Sequence, residues 1–528
     1  MVNVDAVHCM NGTFPSLLHA IESWLVDEPA REAMVFNDER ITYVELASRA
    51  LSLAARLREH GVNRTDMVAV LATPRPEAIV SLLAVWLVGA TWVGVNTRYR
   101  LNEQRQILAD CGAKVLLAVT RCENRDMTPD LDAHKREGVY ALAMGPGLWE
   151  GEVPEGVAEH TVVSAWREAL SEFDPETPAL VIYTSGSTGQ PKGALLSHAG
   201  LTFRSQTMWN SRFYGESIRL LLDLPVNHIG ALASEIGVAV VSGGLMVASE
   251  KFDPGFTLKT IEQEQLTAVF GVPAMITRIV EHPQFKSTDL SSLKFLCWGA
   301  GSISDDVLER LMQASEATFT QQYGMTESNG PIVYTPPTRD VEILKNTTGK
   351  PDSLLALRIA DERDAVVDPG GEGEVQVRMP FPFIGYLNNP RASAATFTAD
   401  GFLRTGDIAK LRPDGYLVFC GRSKEMFKSG GFNVYPREVE IALEAHPQIR
   451  AAAVLAKDDR AWGQVGVAFV EADHELDTAS ILNWCKARLA DFKVPKAIHT
   501  TTALPRTPID KVDKVALGER LKVRPKAG

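Results

Sequence analysis

Tyr183-Thr184-Ser185-Gly186-Ser187-Thr188-Gly189-Gln190-Pro191-Lys192-Gly193 follows directly on the apolar run Ala179-Leu180-Val181-Ile182. The stretch holds three glycines, four aliphatic hydroxyls and one lysine. A buried strand running into such a loop suits an α/β fold, in which ligands bind beyond the carboxyl ends of strands. Backbone N–H groups and hydroxyls of the loop can wrap around phosphate oxygens, with Lys192 as a point charge. It is not the P-loop pattern, which needs Gly-x-x-x-x-Gly-Lys-Ser/Thr. Pro191 precedes the lysine and Gly193 follows it, so no helix N-terminus carrying a magnesium-binding hydroxyl is built here.

At 528 residues the chain exceeds a single core and predicts two to four units. A hydrophobic content of 45% and a charged content of 23% are those of an ordinary globular protein. The net charge of −12 argues against a general nucleic-acid binder, which needs a basic face. Cys9, Cys111, Cys122, Cys297, Cys420 and Cys485 show neither a CxxC nor a metal-ligand spacing. That pattern fits a reducing cytoplasm. The N-terminus lacks the basic and apolar regions of a signal peptide. Residues 78–95 are long and apolar enough to suggest a membrane span, but Gly89 interrupts them. They read as a buried helix over 77–88, a turn, and the strand Thr91-Trp92-Val93-Gly94-Val95.

Before residue 420, helices alternate with short apolar strands, which predicts mostly parallel sheets with crossover helices. Core strands are expected at 67–71, 114–118, 268–271 and 293–298, the last ending at Gly299-Ala300-Gly301. Thr42 and Glu45 have the spacing of a capping box, so a helix starts there. Residues 372–379 and 415–421 read as antiparallel strands bounded by Gly and Pro. A compact α+β piece follows, with helices over 437–445 and 478–490 and strands over 449–456 and 465–470. The expected fold class is therefore α/β. A large N-terminal domain (1–422) of two α/β subdomains and a small β subdomain precedes a small α+β C-terminal domain (425–528).

Five further segments occur in order: Tyr323-Gly324-Met325-Thr326-Glu327; Phe402-Leu403-Arg404-Thr405-Gly406-Asp407; Gly421-Arg422-Ser423-Lys424-Glu425; Lys428-Ser429-Gly430-Gly431-Phe432-Asn433-Val434-Tyr435-Pro436; and Leu504-Pro505-Arg506-Thr507-Pro508-Ile509-Asp510-Lys511. Together with the loop they resemble the adenylate-forming superfamily of acyl-CoA synthetases, luciferases and peptide-synthetase adenylation domains. The resemblance covers roughly residues 15–520. It implies an enzyme that uses ATP and Mg²⁺ to turn an inert carboxylate into an acyl-adenylate. Like charges meet in that attack, so donors and a metal must offset them.

The resemblance assigns Thr184, Ser185, Gly186, Ser187, Thr188, Gly189 and Lys192 to the β- and γ-phosphates. It gives Thr326 to the α-phosphate and Glu327 to Mg²⁺, a lover of hard oxygen donors. Gly299, Ala300, Gly301, Gln322, Tyr323 and Gly324 fall to the nucleotide, with Tyr323 stacking on adenine. Asp407 would accept from the ribose hydroxyls, with Arg422 beside it. Lys511 matches the family's catalytic lysine, although Asp510 stands where Gly is usual and Lys514 lies three residues on. Lys424 matches the hinge about which the C-terminal domain turns. Ser429, Gly430 and Gly431 would let the pantetheine of CoA approach the backbone.

The acyl pocket falls to His228, Ile229, Trp298, Met325 and Ser328, with His228 as donor or gate. Amino-acid adenylation domains place an Asp in this region. Asn227-His228 shows no obvious acid, which points to a plain fatty or aromatic carboxylic acid. The bulk of Trp298 points to a short or compact one. The function expected is an ATP-dependent carboxylic acid:CoA ligase. A stand-alone enzyme loading a carrier protein, and a non-catalytic ATP/AMP-binding regulator, are the alternatives. Small acid, ATP and CoA are the expected partners, with no nucleic acid and no membrane span; a homodimer is compatible with the sequence.

Overall fold

The computed structural model describes residues 13–122, 125–145, 159–184, 191–507 and 511–523. The chain divides into two compact units. The first runs to Ile303 and takes in Val307–Ala356 and Arg378–Leu403; the second comprises Ser304–Asp306, Leu357–Val377 and the chain from Arg404 on.

The first unit is built on two sheets. In one, Tyr140–Met144, Val115–Val119, Met67–Leu71, Thr91–Val95 and Pro178–Thr184 run parallel in that spatial order. The strand Lys192–Ser197 then turns back antiparallel to Pro178–Thr184 and pairs with Gly385–Tyr386. The other sheet has Glu32–Phe36, Leu245–Ala248, Arg219–Leu222, Ala268–Gly271, Phe295–Gly299 and Thr318–Met325 parallel, with Gly330–Tyr334 and then Lys350–Pro351 antiparallel at one edge and Glu39–Thr42 antiparallel at the other. The mixed α/β class expected from the alternating pattern holds. The strands Lys192–Ser197 and Gly330–Tyr334 follow their antiparallel partners with no α-helix among the described residues between them, so the alternation did not show them.

Every residue of the helix Pro76–Val88 is buried. Gly89 ends it in the left-handed conformation (φ 81°), at a position where only glycine rests easily. The indole of Trp86 donates to the carbonyl of Ala179 at 3.0 Å, tying this helix to the base of the strand Pro178–Thr184. No helix among the described residues is long and apolar enough to cross a membrane. The capping box at Thr42 forms, with Glu45 N–H donating to Thr42 Oγ1 and Thr42 N–H donating to the Glu45 carboxylate at 2.8 Å.

The second unit holds a sheet in the order Ala356–Ala360, Glu372–Arg378, Leu403–Leu411, Leu417–Arg422. The two strands read as antiparallel from sequence thus share a sheet with Leu403–Leu411 between them. A second sheet joins Phe432–Val434, Phe427–Ser429, Gly463–Glu471, Ala451–Asp459 and Ala497–Thr501. Helices Pro436–Glu444 and Thr478–Lys486 lie over it, and Val439, Leu443, Ile481 and Cys485 share one apolar core with Val454 and Val470. The second helix stops four residues short of the expected end, before Arg488-Leu489-Ala490.

Candidate functional site

The phosphate-loop segment is the connection of a hairpin. Thr184 and Lys192 sit opposite each other in the antiparallel pair, and Thr184 Oγ1 donates to the carbonyl of Lys192 at 3.4 Å. The chain thus leaves the loop as a strand, as Pro191 and Gly193 require. Ser185, Gly186, Ser187, Thr188 and Gly189 lie outside the described residues.

At the hairpin base, the ammonium of Lys192 stands 5.2 Å from the ring centroid of Tyr386, a cation–π contact. The Tyr386 hydroxyl donates to Glu327 Oε1 at 2.6 Å. Burial, and next the charge of Glu327, push the Tyr386 phenol upward, so it stays a donor. The structure therefore joins Lys192 to Glu327 through a tyrosine that sequence motifs did not single out. Tyr183 is held as well, its hydroxyl donating to Asp110 at 2.7 Å.

Glu327 and Thr326 are buried in a single 3-10 turn, Thr326–Ser328, at the end of the strand Thr318–Met325. Ser328 Oγ donates within this turn and to the Gly330 carbonyl at 2.6 Å, which folds the chain back into the strand Gly330–Tyr334. Gly324 is required by packing, since a Cβ there would stand 2.2 Å from the Gly330 carbonyl oxygen. Gln322 accepts from the buried guanidinium of Arg212 at 2.7 Å. On the neighbouring strand, Gly299 leads into Ala300 in the left-handed region (φ 68°). That conformation costs a non-glycine residue roughly 1–2 kcal/mol, held here at a loop of the candidate site.

Glu327 brings one carboxylate to the hairpin base. No group of three or more His, Cys, Asp or Glu side chains among the described residues forms a protein-only metal cage. Magnesium commonly binds through one or two carboxylates plus substrate phosphates, and a single Glu beside the glycine–hydroxyl hairpin fits that habit.

His228 precedes an eight-residue π-helix, Gly230–Gly237. Its Nδ1 accepts from the Gly230 N–H at 3.1 Å, so in the neutral ring the proton sits on Nε2. Ile229 is buried beside it. Trp298 goes elsewhere. It is fully buried in the core with Leu296, Val269, Ile276 and Phe319. Strand alternation sends Trp298 and Gly299 to opposite faces, so the bulk of Trp298 is no argument for a compact acyl group.

The expectation of no acid in this region is corrected. Asp223, directly after the strand Arg219–Leu222, and Glu235, within the π-helix, are both buried, and the charge of Asp223 acts on Glu235. Their signal in the sequence was a single acid at the end of Arg219-Leu220-Leu221-Leu222 and another inside the apolar run 229–241.

In the second unit Asp407 is 3% exposed and faces Arg422 across the strand pair, with Arg422 Nε 3.1 Å from Asp407 Oδ1. Lys511 lies within electrostatic reach of both. Lost hydration at its ammonium, and then Arg422, lower its pKa, while Asp407 opposes them. Lys514 is committed elsewhere, paired with Glu440 at 2.9 Å and with Glu425. Asp510 lies outside the described residues. Lys424 sits in the turn between the strands Leu417–Arg422 and Phe427–Ser429. Gly430 and Gly431, at φ 58° and 87°, form a two-residue hairpin turn, and the Ser429 hydroxyl before them is buried without a partner.

Comparison with known proteins fits this geometry. A family model described as AMP-binding enzyme matches residues 21–387, and one described as AMP-binding enzyme C-terminal domain matches residues 438–511. The chain is 35% identical to feruloyl-CoA synthase from an Amycolatopsis species, across 92% of this chain and 95% of that protein. It is 34% identical to indoleacetate–CoA ligase from Aromatoleum aromaticum, across 92% and 94%. Its structure is similar to o-succinylbenzoate CoA synthetase from Bacillus subtilis in complex with the acyl-adenylate intermediate, with a TM-score of 0.80 and 26% identity over 96% of this chain and 99% of that one.

Proposed function

The chain belongs to the AMP-binding enzyme family, and from that premise we propose that its residues carry out an ATP-dependent carboxylic acid:CoA ligation in two steps. The observation that carries the reading is the junction of Lys192, Tyr386 and Glu327 at the base of the glycine–hydroxyl hairpin. In the first step a carboxylate oxygen of the acid bonds to the α-phosphorus of ATP, and the bond to pyrophosphate breaks. In the second, the thiolate sulfur of CoA bonds to the acyl carbon, and AMP leaves.

Lys192 and the loop, with Thr184 and residues 185–189, hold the β- and γ-phosphates. Thr326 donates to the α-phosphate. Glu327 would hold Mg²⁺, which supplies positive charge against the phosphate oxygens. Tyr323 stacks on adenine beside Gln322, Gly324 and Gly299-Ala300-Gly301, and Asp407 takes the ribose hydroxyls with Arg422 donating. Lys511 brings its ammonium to the acid's carboxylate and the α-phosphate, and its place beside Asp407 in one unit supports this role, as does the commitment of Lys514 to two glutamates. His228 Nε2–H donates to the carboxyl group as it is activated, with Ile229, Met325 and Ser328 around the acyl group. Residues 425–528 turn about Lys424 between the two steps, so that Ser429-Gly430-Gly431 serves the pantetheine thiol. The relatives' named acids make an aromatic carboxylic acid the favoured substrate.

A panel of aromatic, aliphatic and dicarboxylic acids, assayed for pyrophosphate release and thioester formation, tests this. At least one aromatic acid should give both, and Lys511→Ala should lose pyrophosphate release by about 10²–10³-fold, the scale of removing one placed charge-stabilising group. Release that needs a carrier-protein thiol in place of CoA would move the acceptor, and no release with any acid would overturn the reading.

A further inference from the structure

Lys514 opens the helix Lys514–Val523, three residues after Lys511. A positive charge is poorly placed at a helix N-terminus, where the macrodipole already presents its positive end. Two carboxylates from distant elements offset that: the ammonium meets Glu440 at 2.9 Å and also pairs with Glu425. Glu440 is buried in the helix Pro436–Glu444, where its Oε1 also accepts from the Val454 N–H at 3.0 Å and its Oε2 lies 3.5 Å from Arg437. Glu425 follows Lys424 directly, in the turn between the strands Leu417–Arg422 and Phe427–Ser429. One ammonium therefore joins the chain beside Lys511 to the helix Pro436–Glu444 and to the residue next to Lys424.

The backbone on either side of Lys511 is closed by contacts of its own. Thr507 N–H donates to the Lys511 carbonyl at 2.7 Å, and Asp513 N–H donates to the Pro505 carbonyl at 2.7 Å. The Asp513 carboxylate then caps the helix, accepting from the Val515 and Ala516 N–H groups at 3.0 Å. Leu517 is buried in one apolar cluster with Ala453, Val467, Phe469 and Leu504. Glu425, Glu440 and Lys514 all follow Lys424 in the chain, so a turn about Lys424 leaves their contacts unbroken. Asp407 and Arg422, whose charges act on the Lys511 ammonium, precede it. Lys511 thus keeps a fixed place relative to the first residue that turns.

Resting on the two-step ligase reading above, we propose that Lys514 is a positioning residue for adenylation, whose bridge to Glu425 and Glu440 holds the Lys511 segment rigid against the hinge. The turn about Lys424 alone then decides whether the Lys511 ammonium meets the carboxylate and the α-phosphate. Lys514 itself touches no substrate. Its bridge matters to bond formation at the α-phosphorus, which uses Lys511, and not to the attack of the CoA thiolate, which follows the turn. Misplacing a reacting group by about 1 Å can cost about 10²-fold in rate, so a slack bridge is readable in kinetics.

Two variants of the full chain provide the test. Lys514→Met keeps the stem and removes the charge, whereas Glu425→Ala frees the hinge side and leaves Lys514 on Glu440. With an acid that wild type accepts, pyrophosphate release should fall about 10- to 100-fold in the first and about 3- to 10-fold in the second, the scales of a displaced group and of one lost hydrogen bond. Thioester formation from added acyl-adenylate and CoA should stay within about twofold of wild type in both, and Lys514→Arg should restore release to within about threefold. Added to Lys511→Ala, Lys514→Met should slow release by less than about twofold, because the bridge acts through Lys511. Parallel loss of both half-reactions, or losses that multiply in the double variant, would make Lys514 a structural residue and leave the ligase reading intact. So would release from Glu425→Ala within about twofold of wild type, and that variant decides alone if Lys514→Met does not fold. If wild type releases no pyrophosphate with any acid, hydrogen exchange on the full chain decides: the Thr507 and Asp513 amides should exchange about tenfold faster in Glu425→Ala, and unchanged exchange ends the inference.

Discussion

Two buried acidic corners of the first unit are built on opposite terms. Glu327 accepts from Tyr386, whose ring faces Lys192, so a chain of side chains is complete before any ligand arrives. Glu235 and Asp223 are buried with no lysine or arginine paired to them among the described residues, Glu235 being met only by the Leu224 backbone. The first corner is preorganised and can act on a phosphate without rearranging. The second carries a burial cost, which protonation lowers and an apolar substitution can remove. Buried acids therefore report different things: one paired to a donor side chain marks where geometry is fixed, one without a cation marks where a held proton stands in for the missing charge.

The contrast is open to attack from both sides. Glu327→Gln keeps the shape and removes the charge, so pyrophosphate release should fall about 10²-fold or more; an effect under threefold would erase the distinction. Tyr386→Phe removes only the donor and leaves the carboxylate buried without it. The expected result is a rise of about 3- to 10-fold in KM for ATP, the scale of one hydrogen bond, with kcat less affected. The smallest effect concerns stability. The raised carboxyls of Asp223 and Glu235 hold protons in the folded chain that the unfolded chain releases above about pH 4. The unfolded state then binds fewer protons, so their contribution to stability falls as pH rises. Glu235→Leu should melt about 2–4 °C above wild type near neutral pH, with a smaller gap at pH 4–5, as read by calorimetry.

Much of this arrangement was legible before any coordinates. The apolar run 179–182 and the Pro191-Lys192-Gly193 end of the glycine–hydroxyl segment required a strand before the segment and no helix after it, and the strands Pro178–Thr184 and Lys192–Ser197 obey them. Asp407 and Arg422, read from separate motifs, face each other across one strand pair. Local rules succeeded where the interacting residues were near in sequence or fixed by motif order. They failed for Tyr386, which meets Glu327 across 59 residues only because the strand Gly385–Tyr386 adds to the edge of Lys192–Ser197. They failed for Glu235 as well, since an acid in an apolar run discloses its burial but not its company. The placing of Trp298 was an avoidable error: period-two alternation already set it on the face opposite Gly299.

The helix Pro76–Val88, apolar on every side, has a consequence for how the protein is made. Its indole at Trp86 is anchored by Ala179, 93 residues downstream. At a translation rate of about 5–20 residues per second, this greasy segment leaves the ribosome roughly 5–20 s before its anchor exists. Through that interval the nascent chain displays a stretch as adhesive as a membrane anchor, and the helix Tyr43–Glu59, already synthesised, is the cover at hand.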